Sequence, residues 1–352
     1  MIQQQYRSFG ALRFLLAVLV MVQHFGVNLA PEYVVRVLYP LAVGSNAVLV
    51  FFVLSGFIIV EASHFFYQER PVAFLLNRLL RVVPPFVVAI SLSIVLHGVC
   101  WQVAGTLQSI EGEGLTAAVF ALPDLLKNYL SFLPSTKAVG LLPDYSFLPY
   151  VWAIRIELLF YGVVFASGLL YRLTRSGVAH GFCLGVAGVG GLAVAGFFLS
   201  KAPGYAPYFV FGAALFYVRL GKKKAYGLLL PAIPMMVWHF WHTHIPTGDA
   251  PAYAANLPAQ MAILVVLLVL TVFLSHYEGQ YGQKWDRFLG ELSYPLYLNH
   301  FVVGILARNL FSRTITCFLI ALVASFCLSV VLYYLVDRPL KQIRNKVRRQ
   351  ML

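Results

Sequence analysis

Charge is what this chain has least of. Only 11% of its 352 residues are Asp, Glu, Lys or Arg, while 60% are hydrophobic, against a usual charged share of about a quarter in soluble domains. An ordinary soluble domain is excluded, and the chain reads as a polytopic membrane protein. Cysteine is also scarce. Cys100, Cys183, Cys317 and Cys327 all fall in apolar segments without metal-type spacing, so they read as small core residues and not as a disulfide framework. Within the small charged share acidic residues are the minority, thirteen against 26 basic ones, for a net charge of +13.

What is abundant is long apolar segments. Spans of about 20 residues are expected near 9–29, 41–61, 82–103, 150–171, 179–199, 203–219, 227–242, 257–277, 289–311 and 314–336. The expected fold is thus an all-α bundle of about ten transmembrane helices. Basic residues precede the first apolar run, as in a signal peptide, but equally apolar segments follow, so it reads as a retained span. Prolines and lysines break up 104–149 (Pro123, Lys127, Pro134, Lys137, Pro143, Pro149). That stretch reads as an extracytoplasmic insertion with an interfacial helix around 115–133; an eleventh span there is the alternative. The whole of 1–352 reads as one transmembrane domain.

The distribution of positive charge orients the bundle. With a cytoplasmic N-terminus, nineteen of the 26 lysines and arginines fall on cytoplasmic ends and loops. Six fall outside (Arg36, Lys127, Lys137, Lys201, Arg308, Arg313), and Arg155 lies within a span. This asymmetry is the positive-inside pattern and puts both termini in the cytoplasm. It accounts for the excess charge without nucleic acid, and the basic tail 338–352 reads as a membrane-surface anchor. Gly185, Gly188, Gly190 and Gly191 lie inside an expected span with no preceding strand, which suits close helix packing and not a nucleotide loop. His239, His242 and His244 match no strong zinc spacing and sit beside Trp238 and Trp241 at an expected membrane boundary, so no metal site is assigned.

Five places put polar groups where lipid should exclude them. Arg13 and His24 are separated by ten residues, nine of them an unbroken apolar run. On a helix they share nearly one face about 16 Å apart, with Arg13 at the surface and His24 in the interior. Ser55 and Gly56 interrupt an aromatic-rich span, as a helix contact or a place for a thin ligand to approach. Arg78 and Arg81, at i and i+3 before Pro84-Pro85, can together grip a phosphate or serve as topogenic charges. Trp152 precedes Glu157, which shares a face with Tyr161, while Arg155 points nearly the opposite way. Ser293 and His300 share a face of the ninth span, and Pro295 between them loosens its backbone.

Taken in order, these segments resemble the acyltransferase 3 family of integral membrane proteins. The matching pieces are Leu12-Arg13 with His24, Val50-Phe51-Phe52-Val53-Leu54-Ser55-Gly56-Phe57, Arg78 and Arg81 before Pro84, Trp152 with Glu157, Phe160 and Tyr161, and Leu292-Ser293 with Tyr297 and His300. The resemblance implies a bundle of ten or so spans, an acyl-coenzyme A donor loaded from the cytoplasm, and an essential histidine on the first helix, carried here by His24. Many relatives continue into an extracytoplasmic esterase-like domain, so this chain resembles the stand-alone form.

The expected function is membrane-embedded O-acyl transfer, with acyl-coenzyme A (acetyl for preference) as donor substrate and no permanently bound cofactor. The expected acceptor is a hydroxyl of a lipid-linked or exported carbohydrate, and the expected setting a bacterial inner membrane. His24 would be general base or transient acyl carrier, with Glu157 orienting its imidazole. Arg13, Arg78, Arg81, Ser55 and Gly56 would bind the donor. Trp152, Tyr161, Ser293 and His300 would touch the acceptor or the thioester carbonyl. A transporter or flippase for an anionic lipid or metabolite is the reading from another class, and an acyltransferase for a non-carbohydrate small molecule is a third.

Overall fold

The computed structural model describes residues 9–67, 70–104, 107–108, 114–134, 142–174, 202–244, 256–277 and 282–350. They form an all-α membrane bundle. The helices are α1 (Gly10–Asn28), α2 (Glu32–Leu41), α3 (Val43–Phe66), α4 (Pro71–Ala104), α5 (Leu122–Leu130), α6 (Val151–Thr174), α7 (Ala206–Arg219), α8 (Tyr226–His244), α9 (Leu257–His276), α10 (Gln283–Leu310), α11 (Ile315–Leu332) and α12 (Arg338–Gln350). Six helical stretches among the described residues are long and apolar enough to cross a membrane: α1, α2 with α3, α4, α6, α9, and α11 with α12. The span expected at 179–199 lies outside the described residues.

Two glycine contacts bring the central helices together. α1 runs parallel to α10: Gly290 faces Gly10, and Asp286, one turn earlier, lies beside it. A Cβ at Gly10 would meet the Asp286 carbonyl oxygen at 1.7 Å, and one at Gly290 would meet the Gly10 Cα at 2.7 Å, so neither position admits a side chain. The same contact completes α1. Phe9 offers no side-chain cap, and the first amides of a helix need acceptors. The Asp286 carboxylate provides them, accepting from Gly10 N at 3.0 Å and Ala11 N at 2.7 Å. α3 and α7 run antiparallel in a similar clasp, with Gly56 against the Phe209 carbonyl and Gly212 against that of Val53.

Several bounds differ from the sequence expectation. α4 begins at Pro71 and not near 82, so Arg78 and Arg81 are two to three turns inside a helix that passes through Pro84 and Pro85. Pro71 holds the first position of the helix, where Pro is well suited. α10 starts at Gln283, and the short α2 was not anticipated. In the stretch 104–149, α5 has nine residues, well below the about 20 a span needs. It is tied to the loop before α6 by Asn128, which bonds Tyr145 O and Phe147 N, and by Asp124, which accepts from Asp144 N. Arg155 donates to Ser131 O at 2.5 Å, away from Glu157 as its helical phase required. After α11 a π-turn over Tyr333–Asp337 leads straight into α12, and the basic tail lies along α4 and not apart from the bundle: Asn77 Nδ2 donates to Arg344 O at 2.9 Å.

The glycine clasp makes a direct prediction. Gly290→Ala is expected to lower the melting temperature of the detergent-purified protein, at an overpacking cost of about 1–3 kcal/mol. Gly98→Ala on α4, where a Cβ would meet nothing within 4 Å, is expected to be neutral or stabilising, since Ala favours helix. Equal melting shifts for the two variants would contradict the close contact.

Candidate functional site

Three guanidiniums converge where α1 and α4 meet. Arg13 projects from α1, and Arg78 and Arg81 from one face of α4. Together they line a narrow cavity, about 820 Å³ only when the open space at its mouth is counted, whose other walls include Phe51, Phe52, Ser55 and Ile58 of α3, Ala153, Ile154 and Glu157 of α6, and Ser293, Tyr294 and Tyr297 of α10. None of the three guanidiniums makes a hydrogen bond to the described residues. Arg78 is only 6% exposed, and its Nε is buried without a partner; its guanidinium lies over the Phe74 ring at 5.6 Å. Glu157 is the one carboxylate on the cavity wall, and it accepts a 2.6 Å hydrogen bond from the Tyr161 hydroxyl. Three cations against one anion leave a surplus of positive charge in a poorly hydrated place, which is costly unless an anion joins it. Guanidinium forks suit carboxylate and phosphate best.

A larger cavity adjoins this inner one. Arg13, Ile58, Arg81 and Tyr294 line both, and the outer cavity measures about 1620 Å³ including its mouth. It lies at the end of the bundle where α1, α4 and α10 begin and α3 ends, and its walls are strongly polar.

Further along α1, His24 faces α10. Its Nδ1 is 2.9 Å from Nε2 of His300, which is fully buried. The proton positions follow from the partners. His300 Nδ1 lies 3.1 Å from the Leu296 carbonyl, which can only accept, so His300 carries its proton there and its Nε2 accepts. His24 Nδ1 must then donate to His300. In the neutral ring that leaves the lone pair on His24 Nε2, which makes no hydrogen bond to the described residues. Tyr150 stacks on the His24 imidazole at 3.9 Å and 7°, and Tyr297 donates to the Tyr150 carbonyl at 2.9 Å. The arrangement therefore presents a proton acceptor, with its tautomer fixed by a second ring, beside an aromatic wall.

The inner cavity does not reach His24. It ends at Ile154 and Tyr297, which also line a small void together with Tyr150. The contacts from guanidiniums to imidazole thus run through Tyr297 and Tyr150.

Most residues singled out from the sequence meet at this place, but not in the expected pairs. Glu157 is bonded to Tyr161 and faces the arginines; the group against the His24 imidazole is His300, because α1 is clasped to α10. Gly56 is packed on Phe209 of α7, and only its neighbour Ser55 reaches the cavity. Trp152 packs on Phe52 and Tyr205. Ser293 lines the cavity while its hydroxyl donates to Gly290 O at 2.8 Å. Tyr150, Tyr294 and Asp286 escaped notice. Tyr297, quoted only as part of the ninth-span motif, lines both the cavity and the small void. His239 is buried against Tyr205 and Tyr208, and His242 bonds the Trp238 carbonyl of its own helix.

Comparison with known proteins bears on the site as a whole. A family model described as an acyltransferase domain, Acyl_transf_3, matches residues 6–334. A protein of Komagataeibacter xylinus provisionally named a membrane-bound transacylase, BcsY, is 31% identical over 130 residues, 36% of this chain and 31% of that protein. The match thus spans about a third of the relative's length. No solved structure matches.

The surplus charge has a measurable consequence. Arg78→Met, which replaces a buried unpaired cation by an apolar chain of similar length, is expected to raise the melting temperature of the ligand-free protein. Millimolar pyrophosphate is expected to stabilise the wild type in the same assay and to stabilise the variant far less. A lower melting temperature for Arg78→Met with an unchanged pyrophosphate response would contradict the account.

Proposed function

The chain belongs to the acyltransferase 3 family, and on that premise we propose that this membrane acyltransferase moves an acyl group from acyl-coenzyme A to a hydroxyl of a lipid-linked or exported carbohydrate. The donor enters from the cytoplasm and the acceptor from the other side of a bacterial inner membrane. The observation that supports this reading most is the joint placement on α1 of Arg13, in a cavity rich in unpaired guanidiniums, and His24, whose Nε2 lone pair is left available by His300.

Coenzyme A is a polyanion at one end and a thiol at the other, joined by a long flexible arm. Its charged end suits Arg81 and Arg13 at the passage between the two cavities, and its arm suits the inner cavity, whose lining beyond the arginines is largely apolar and aromatic. To meet His24, the thioester must pass Tyr297 and Tyr150, so those rings turn aside when the donor is loaded.

The acceptor hydroxyl attacks the thioester carbonyl as His24 Nε2 takes its proton. The carbon–oxygen bond forms, the tetrahedral intermediate collapses, and the carbon–sulfur bond breaks. The departing thiolate recovers the proton from the imidazolium, giving an ester and free coenzyme A. His300 plays the part a carboxylate takes in a catalytic triad: it holds His24 in the tautomer with Nε2 free and shares the charge that appears on the ring. Glu157 acts on the donor side, where with Tyr161 it sets the balance of charge around Arg13, Arg78 and Arg81.

The test is coenzyme A release by the protein in nanodiscs, supplied with acetyl-coenzyme A and envelope glycan from a strain deleted for this gene. His24→Ala is expected to lower kcat by about 10²–10⁴-fold while melting like the wild type. Normal turnover in that variant would end the assignment. His300→Leu is expected to lower kcat with little change in the donor KM, and His300→Gln, whose amide oxygen can still accept from His24, to recover part of the loss. A loss of equal size in both His300 variants would mean that the ring is only packing.

A further inference from the structure

The helix beyond the family match carries a second set of cations into the donor path. The family model ends at residue 334, and α12 follows it. Lys341, Arg344 and Arg348 stand at i, i+3 and i+7, one face of a helix, and all three line the outer cavity with Arg81. The helix is fastened in that orientation at three points along its length. Lys341 pairs with Glu291 of α10. Arg344 exchanges two hydrogen bonds with Asn77 of α4, accepting from Asn77 Nδ2 at its own carbonyl and donating from Nε to Asn77 Oδ1 at 3.4 Å. The Arg348 guanidinium lies 5.2 Å from the ring centre of Phe66, at the end of α3.

Much of the acidity that lines this cavity is already engaged. Asp286 is spent on the first amides of α1, and Glu291 accepts from the Tyr333 hydroxyl as well as from Lys341. Asp337 and Glu61 also line the cavity, together with Arg13, Arg81, Arg287, Arg344 and Arg348. The two terminal nitrogens of Arg344 make no hydrogen bond to the described residues, and Arg344 lies within electrostatic reach of both Arg81 and Arg78. A row of cations therefore runs from α12 through Arg81 to the inner cavity.

We infer that α12 is a wall of the donor site, and that Arg344 and Arg348 hold the outermost phosphate, at the nucleotide end of the donor, while Arg81 and Arg13 take the phosphates nearer the arm. This rests on the reading of the chain as acyl-coenzyme A dependent. A cavity of about 1620 Å³ including its mouth has room for a nucleotide, and bidentate guanidiniums match phosphate oxygens. The basic face of α12 is thereby committed to a soluble phosphate ligand and not to anionic lipid headgroups, which offer the same chemistry.

The experiment compares two donors on the full chain in nanodiscs of neutral lipid. Arg344→Gln keeps an amide donor for Asn77 Oδ1 and removes the charge. It is expected to raise the KM for acetyl-coenzyme A about tenfold, the loss of roughly one charge-assisted hydrogen bond, with kcat and the KM for S-acetylpantetheine unchanged. Binding of adenosine 3′,5′-bisphosphate to the purified protein is expected to weaken by a similar factor, and Arg344→Lys to restore part of it. The proposal is overturned if the two donors lose equally, if neither changes, or if bisphosphate binding is unaltered while the variant loses only its association with phosphatidylglycerol vesicles. Absence of turnover of either donor by the wild type would instead defeat the acyl-coenzyme A reading. Bisphosphate binding would still decide the role of Arg344.

Discussion

The contact of α1 with α10 through Gly10 and Gly290 is the constraint from which the site follows. With no side chain between the backbones, the two helices run in parallel at close range, and their facing residues pair in order along the axis. At one end Asp286 supplies the acceptors that the first turn of α1 lacks. At the other His24 meets His300. Between them Arg13 turns into the cavity shared with α4 and α6. A wider spacing would uncap α1 and separate the imidazoles at the same time, so folding and chemistry draw on one interface.

Charge is the second organising element. Burying a guanidinium without a partner costs several kcal/mol, and this bundle does so at Arg78 while keeping Arg13 and Arg81 close by. The positive cavity adjoins a wide polar one, where Asp286, Glu291 and Lys341 are held in fixed pairs. The ligand-free protein is thus an incomplete electrostatic arrangement, and a polyanion with a slender tail is the kind of molecule that completes it. Glu157 and Tyr161 keep that surplus from growing larger.

Much of this was legible in the chain. The scarcity of charge and the apolar runs identify a membrane bundle, and the spacing of Arg13 and His24 gives one polar stripe on the first helix. The order of Phe51-Phe52 with Ser55-Gly56, the Arg78 and Arg81 pair, Glu157 and His300 indicates the family. What was not legible is pairing across long separations. Helical phase shows that Glu157 shares a face with Tyr161, but not that His300, 276 positions from His24, takes the place a carboxylate was expected to hold. Phase alone leaves Gly56 equally suited to a ligand or a neighbouring helix; the neighbour, Phe209, lies in another span. The basic tail is a case of the same kind: a cationic amphipathic helix suits a lipid surface and a protein groove alike, and its contacts with Asn77 and Glu291 are with partners remote in sequence.

The aromatic partition formed by Tyr150 and Tyr297 bears on more than catalysis. A transferase that met its two substrates from opposite faces of a bilayer through one open passage would short-circuit the ion gradients of its host. On the proposed reading, Tyr150 and Tyr297 would part only for a long, uncharged arm, so that a thioester could cross the dielectric barrier while protons and salts stay on their own sides. In that sense the bundle would be an airlock, with these two tyrosines as its seal.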